Sequence, residues 1–153
     1  MSARARGGPG QRLAALSVDL DEIGCYAAIH GLSPPSEAAA RAIYDKALPR
    51  LARLFDETGV RATFFAIGDD LDAKNGAALR ALVAAGHEVA NHSRSHLYDL
   101  TRQPRSVVRD EIAGGADAIE RATGVRPAGF RAPGYTITDE VFDVLAELGV
   151  AYD

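Results

Sequence analysis

Two things are scarce in this sequence: cysteine and long hydrophobic runs. Cys25 is the only cysteine among 153 residues, so no intrachain disulfide can form and nothing indicates an oxidising compartment. We interpret it as an inert thiol rather than a nucleophile. The first apolar run, 13–18, is stopped by Asp19 and is shorter than the core of a signal peptide, and no later run approaches transmembrane length. These features predict a cytoplasmic protein without a transmembrane segment.

Basic residues are fewer than acidic ones, 17 against 21, and the formal net charge is −4. A nucleic acid or an anionic membrane would favour a basic surface, so neither is an expected partner. The sequence is 47% hydrophobic and 25% charged, which is typical of a globular domain with a substantial core. We predict a flexible tail over residues 1–11 and one domain over 12–153.

Apolar runs and helical periodicity alternate along the domain. Strands are predicted at 13–18, 61–68, 87–91, 128–130 and from 150 onward. Helices are predicted from a Ser36 cap to Gly59 with a break at Pro49, and over 75–85, 104–123 and 139–148. The first strand is expected to be buried on both faces, and the last helix to direct Val141, Phe142, Val144, Leu145 and Leu148 inward. This alternation predicts an α/β fold with parallel strands, outer helices and right-handed crossovers.

Polar residues that could bind a metal follow the first and third predicted strands. His92 and His96 are four residues apart, a spacing that lets two imidazoles meet one ion, and a catalytic zinc site usually adds a carboxylate. Asp19 and Asp21 follow the first strand. In βα units ligand sites lie beyond the C-terminal strand ends, so these residues should converge. The alternative is that the histidines and acids are ordinary solvated loop residues, since each short pattern alone is weak evidence.

Two roles are available for the carboxylates. One could bind the ion, while the other accepts a proton from water whose pKa the ion has lowered. The loop 131–135 follows the fourth strand, so it belongs to the same end of the sheet. There Arg131 could hold the proton-accepting carboxylate, and the backbone N–H of Tyr135 could face an oxyanion. An incidental surface arginine remains the alternative.

Segments 17–22, 91–96 and 130–135, with 62–68 between the first two, resemble the motifs of the polysaccharide deacetylase family, the NodB homology domain of carbohydrate esterase family 4. The resemblance implies an irregular (β/α) barrel that removes acetyl groups from sugars with zinc or another divalent ion. It implies that Asp19 is the general base, that Asp21, His92 and His96 bind the metal, and that Arg131 tethers the base. Cobalt, nickel and manganese suit such ligands as well as zinc does.

The sequence departs from the family pattern in two places. Asp19-Leu20-Asp21 replaces the commoner adjacent Asp-Asp pair and resembles a branch that includes cyclic-amide hydrolases, so an acetylated carbohydrate and a small cyclic imide or ureide both remain candidate substrates. Family domains continue through several more strands and include a late loop that supplies a histidine acting as general acid. Neither His30 nor His87 matches that histidine. We therefore predict a truncated domain that needs its missing half or an oligomeric partner, or an inactive half barrel that binds metal or carbohydrate.

Overall fold

Parallel strands form the centre of the fold. The computed structural model describes residues 12 and 14–153, and its sheet has the order β1 (Ser17–Asp19), β2 (Thr63–Ala66), β3 (Glu88–Asn91). The register aligns Asp19 with Phe65 and Phe65 with Ala90. Parallel bridges from Asn91 to Phe130 and from Gly129 to Tyr152 continue the pairing into two further extended segments. The predicted α/β class is confirmed, whereas the boundary of the proposed tail, 1–11, lies outside the described residues and stays a prediction.

Helices connect successive strands and cover the outside of the sheet. They are α1 (Ile23–Ile29), α2 (Glu37–Ala40), α3 (Leu48–Thr58), α4 (Ala73–Ala84), α5 (Arg105–Thr123) and α6 (Asp139–Glu147). Asp72 begins α4 by accepting a hydrogen bond from the N–H of Asn75 at 2.7 Å. Gly59 and Gly124 end α3 and α5 with φ of 67° and 78°, a conformation that glycine adopts at little cost. No helix in the described residues is both long and apolar enough to cross a membrane.

The region before β2 differs from the prediction in two ways. Helix α1 was not predicted, because its seven residues offer no recognisable cap or long apolar stripe. The helix expected from Ser36 to Gly59 is divided into α2, a π-helical turn over Ile43–Ala47, and α3. Pro49 lies in the first turn of α3, where its missing N–H costs no helical hydrogen bond.

The first strand is an edge strand, so the expectation that it is buried on both faces is wrong. It begins at Ser17 rather than at residue 13, which lies outside the described residues, and Ser17 is exposed while Val18 and Asp19 are partly buried. Within the described chain β1 pairs with β2 alone, which leaves its other edge uncovered. Leu16, which precedes it, is 49% exposed.

Two hydrophobic clusters form the core. The first packs α3 and α4 against the sheet through Leu48, Phe55, Phe64 and Leu79. The second lies between α5 and α6 and includes Ile112, Phe130 and Val144. Ile119 of α5 belongs to the first cluster and Ile112 to the second, so α5 packs against both.

The inward face of α6 is narrower than predicted. Val141, Val144 and Leu145 are buried and Leu148 is partly buried, but Phe142 is 49% exposed. A residue one position after Val141 is rotated by about 100° around the helix axis, away from the i, i+3, i+4 stripe. The prediction for Phe142 is therefore wrong.

Candidate metal centre

One carboxylate and two imidazoles meet at the C-terminal end of the sheet. Asp21 follows β1, and His92 and His96 follow β3. The Nε2 atom of His92 is 3.3 Å from Asp21 Oδ1, and Nε2 of His96 is 3.3 Å from Asp21 Oδ2. One potential ligand atom from each residue lies within 4.8 Å of the others. The three residues predicted as metal ligands are therefore brought together.

The hydrogen bonds of these residues fit a bound cation. His92 Nδ1 lies 2.7 Å from the carbonyl oxygen of Arg131, which can only accept, so Nδ1 carries the proton and Nε2 offers a lone pair. His96 Nε2 and Asp21 Oδ1 are buried and have no hydrogen-bond partner in the described part of the chain. Buried lone pairs that face a carboxylate are unfavourable unless a cation lies between them. The donor set therefore fits a divalent metal ion.

The loop that carries the histidines is held tightly by its surroundings. Ser93 and His96 have φ of 66° and 58°, in the left-handed region that side chains rarely adopt. The N–H of His96 donates to Ser93 Oγ at 3.0 Å, and the N–H groups of Gly68 and Asp69 donate to the carbonyls of Ser93 and Arg94. Strained backbone of this kind persists only where the surroundings impose it.

Asp19 lies in a separate set of contacts from Asp21. Arg131 Nη1 donates to Asp19 Oδ1 at 2.5 Å, and Nη2 donates to Ser17 Oγ at 2.9 Å. The guanidinium also lies 4.0 Å above the ring of Phe65, a cation–π contact. The phenol of Tyr135 donates to Asp19 Oδ2 at 2.9 Å. The geometry thus separates a carboxylate beside the imidazoles from one held by an arginine.

The sequence matches known proteins of one family. The family model described as polysaccharide deacetylase matches residues 41–152. The chain belongs to the polysaccharide deacetylase family. It is 26% identical over 143 residues to a peptidoglycan deacetylase of Helicobacter pylori, covering 92% of this chain and 48% of that protein. It is 36% identical over 104 residues to a chitooligosaccharide deacetylase of Bradyrhizobium, covering 67% and 47%.

A solved structure supports the same fold. A CE4 family pseudoenzyme from Bacillus anthracis superposes with a TM-score of 0.71 at 23% identity, covering 96% of this chain and 44% of that one. The parallel strands and outer helices are thus part of a barrel of the NodB type, as predicted. The chain spans about half the length of the relatives it matches. The family match does not favour the cyclic imide alternative.

The ionisation of the acids in this deacetylase family member follows from their neighbours. Burial opposes ionisation of Asp21, whereas the adjacent imidazoles of His92 and His96 favour the carboxylate when they are protonated, and in that state they hold the pKa of this carboxyl well below its ordinary value. The buried Oδ2 of Asp70, which lies after β2, has no hydrogen-bond partner among the described residues. Burial, with the charge of Glu22 as the next cause, raises the pKa of Asp70 to about 6.

The Tyr135 backbone is not placed as predicted. Its N–H donates to the carbonyl of Ala132 at 3.0 Å, in a tight turn over Pro133–Tyr135 where Tyr135 has φ of 56°. That N–H is therefore already satisfied and does not face an oxyanion in this conformation. The phenol of Tyr135, which the sequence analysis did not single out, is the group that contacts the site.

The other two histidines of this family member lie outside the group of potential ligands. His87 is buried, accepts a hydrogen bond at Nδ1 from the N–H of Ala62, and makes an edge-on contact with Phe64. His30 follows α1 and packs against Tyr26, with ring centroids 4.4 Å apart. Neither position indicates that these histidines act as the general acid.

Proposed function

We propose that this chain provides the metal-binding and proton-accepting part of a site that removes acetyl groups from N-acetylated sugars. The observation that carries the proposal is the convergence of Asp21, His92 and His96 beside a second carboxylate, Asp19, that is held by Arg131. The names of the matched relatives support an acetylated amino-sugar polymer as the substrate class.

Asp21, His92 and His96 would hold a divalent ion, with zinc favoured and cobalt, nickel or manganese as alternatives. When bound, such an ion polarises an amide carbonyl and lowers the pKa of water. Asp19 would accept the proton of the attacking water. Arg131 fixes the position of Asp19 through Oδ1, while Oδ2 can become free when the phenol of Tyr135 moves aside.

The leaving amine also needs a proton. Neither of the other two histidines, His30 and His87, belongs to the ligand group from which a proton could be delivered, and the chain covers about half the length of its relatives. We therefore expect slow acetate release from this chain alone. The same observation favours a second candidate function, in which the chain binds metal or carbohydrate without turnover. Acetate release above the metal-free background would exclude that candidate.

The test compares three variants of the 153-residue chain. Zinc binding is measured by titration, and acetate release from N-acetylglucosamine oligomers is measured beside hydrolysis of a cyclic imide. Asp19→Asn should retain zinc but lose turnover, because only the proton acceptor changes. His92→Ala should lose both.

His30→Ala is the matched control, because this exposed histidine is outside the ligand group, and it should behave as wild type. Equal loss of zinc by Asp19→Asn and His92→Ala would refute the division of roles. A wild-type chain that binds no zinc would refute the proposed function, and hydrolysis of the imide alone would transfer the proposal to that substrate.

A further inference from the structure

Glu111 is a buried carboxylate on α5 that faces the loop between the two histidines. Only 2% of the residue is exposed. Its Oε2 accepts the backbone N–H of Ser95 at 2.8 Å, and its Oε1 accepts the Ser95 hydroxyl at 2.9 Å. Arg94 Nη2 lies 3.3 Å from Oε1 and supplies an opposite charge. All of these partners belong to the loop 92–96, here called the histidine loop.

These contacts act on the part of the loop where the backbone is least relaxed. Ser95 lies between Ser93 and His96, whose φ values are both in the left-handed region. Each such residue is unfavourable unless its surroundings hold it in place. A charged acceptor that binds both the N–H and the hydroxyl of one residue is strong and directional. If it were removed, the loop could relax and His96 Nε2 would leave its place beside Asp21.

A buried carboxylate is costly, so its role here requires explanation. The hydrophobic contacts of α5 are made by other residues, including Ile112 and Ile119. Glu111 instead accepts hydrogen bonds from the N–H and hydroxyl of Ser95, and among the described residues no other group accepts from them. Its position is therefore explained by the loop rather than by the packing of the helix.

We propose that Glu111 is a positioning residue that holds the loop in the conformation that binds metal, acting on His96 through Ser95. This inference rests on the proposed function, because it presupposes that the three ligands bind a divalent ion. Outer groups that orient ligands typically change metal affinity by about 10–100-fold when they are removed.

The test measures zinc affinity of the metal-free chain by competition with a chromophoric chelator, at a temperature well below the melting point of each variant. Glu111→Ala should weaken zinc binding by about 10–100-fold. Glu111→Gln should restore affinity to within about threefold, because its amide oxygen can accept from the Ser95 N–H and its NH₂ can donate to Ser95 Oγ. Glu120→Ala is the control, since Glu120 lies on the same helix as Glu111 but forms an exposed ion pair with Arg126, which follows the helix.

A merely structural role would lower the melting temperature of Glu111→Ala while the folded protein kept wild-type zinc affinity, and that result would overturn the inference. If Glu111→Ala does not fold by far-UV circular dichroism, Ser95→Ala decides instead. It removes one of the two hydrogen bonds and should cost about fivefold in zinc affinity, and unchanged affinity would overturn the inference. Wild-type protein that binds no zinc would refute the proposed function itself. Equal zinc binding by the wild type and the variant would refute only the role of Glu111.

Discussion

The two adjacent glycines of α5 should respond in opposite ways to a single methyl group. A Cβ at Gly115 would clash with Asn91 Oδ1 and would lie 2.7 Å from the carbonyl of Ser93. The nearest neighbour of a Cβ on Gly114 would be the side chain of Arg94, with its Cδ at 2.9 Å. Backbone and a buried amide cannot move aside as a half-exposed arginine can. Gly115→Ala and Gly114→Ala are therefore a matched pair on one helix.

The magnitude follows from the contacts. Alanine gains about 1 kcal/mol over glycine inside a helix, and this gain applies to both positions. At Gly115 the overpacking costs about 1–3 kcal/mol. Displacing Asn91 also breaks its 2.8 Å hydrogen bond to the Ile112 carbonyl and leaves a buried donor unpaired, at about 1–3 kcal/mol. The net loss for Gly115→Ala is about 1–5 kcal/mol, against a gain of up to about 1 kcal/mol for Gly114→Ala.

Thermal unfolding of the metal-free protein measures this difference. For a domain of this size each kcal/mol shifts the melting temperature by about 2–4 °C, so Gly115→Ala should melt well below wild type and Gly114→Ala at or above it. Because Asn91 directly precedes His92, Gly115→Ala should also weaken zinc binding. Equal melting temperatures and equal zinc affinities for the two variants would refute the close approach of α5 to the histidine loop.

Two further changes test the electrostatics of the site. Arg131→Met should lower the free energy of unfolding by about 2–3 kcal/mol, because it leaves the largely buried Asp19 carboxylate without its cation. Arg126→Met, which removes an exposed ion pair, should cost less than about 1 kcal/mol. Equal losses for the two variants in urea unfolding would contradict the ion pair between Arg131 and Asp19. Asp70→Asn should stabilise the metal-free protein by about 1–2 kcal/mol at pH 7.5, after allowance for the exposed part of the side chain.

The sign of the Asp70 effect follows from its pKa. A folded-state value of about 6 lies above the ordinary 3.8, so the folded state binds the proton more tightly, and stability is lost as the pH rises through 6. The advantage of Asp70→Asn should therefore disappear below about pH 4. An advantage that does not change with pH would show that ionisation of this carboxyl is not its cause.

The placement of the candidate ligands could be predicted because it depends on topology. Asp21, His92 and His96 follow apolar runs that form parallel strands, and such strands bring their C-terminal ends to one edge. The chain order of strands and helices, together with the motif spacing, was therefore sufficient to predict that these three side chains meet.

Features that depend on exact tertiary contact could not be predicted. The hydrogen bond that engages the Tyr135 N–H depends on a left-handed residue in a tight turn, and the sequence around Pro133 and Gly134 fits several turns. The role of Gly115 depends on its distance from Asn91 across two elements, while in the sequence it only weakens a helix. Glu111 looks like an ordinary surface acid until the fold buries it.

Arg131 contributes to the site twice, through its carbonyl to His92 and through its guanidinium to Asp19. One residue thus sets the spacing between the imidazole that would bind the ion and the carboxylate that would take the proton. Exchange of its side chain would release only the carboxylate, while the carbonyl would still orient the ring. A shift of the backbone at this position would displace His92 and Asp19 together. The geometry of the ligand and that of the proton acceptor therefore both depend on the position of one residue.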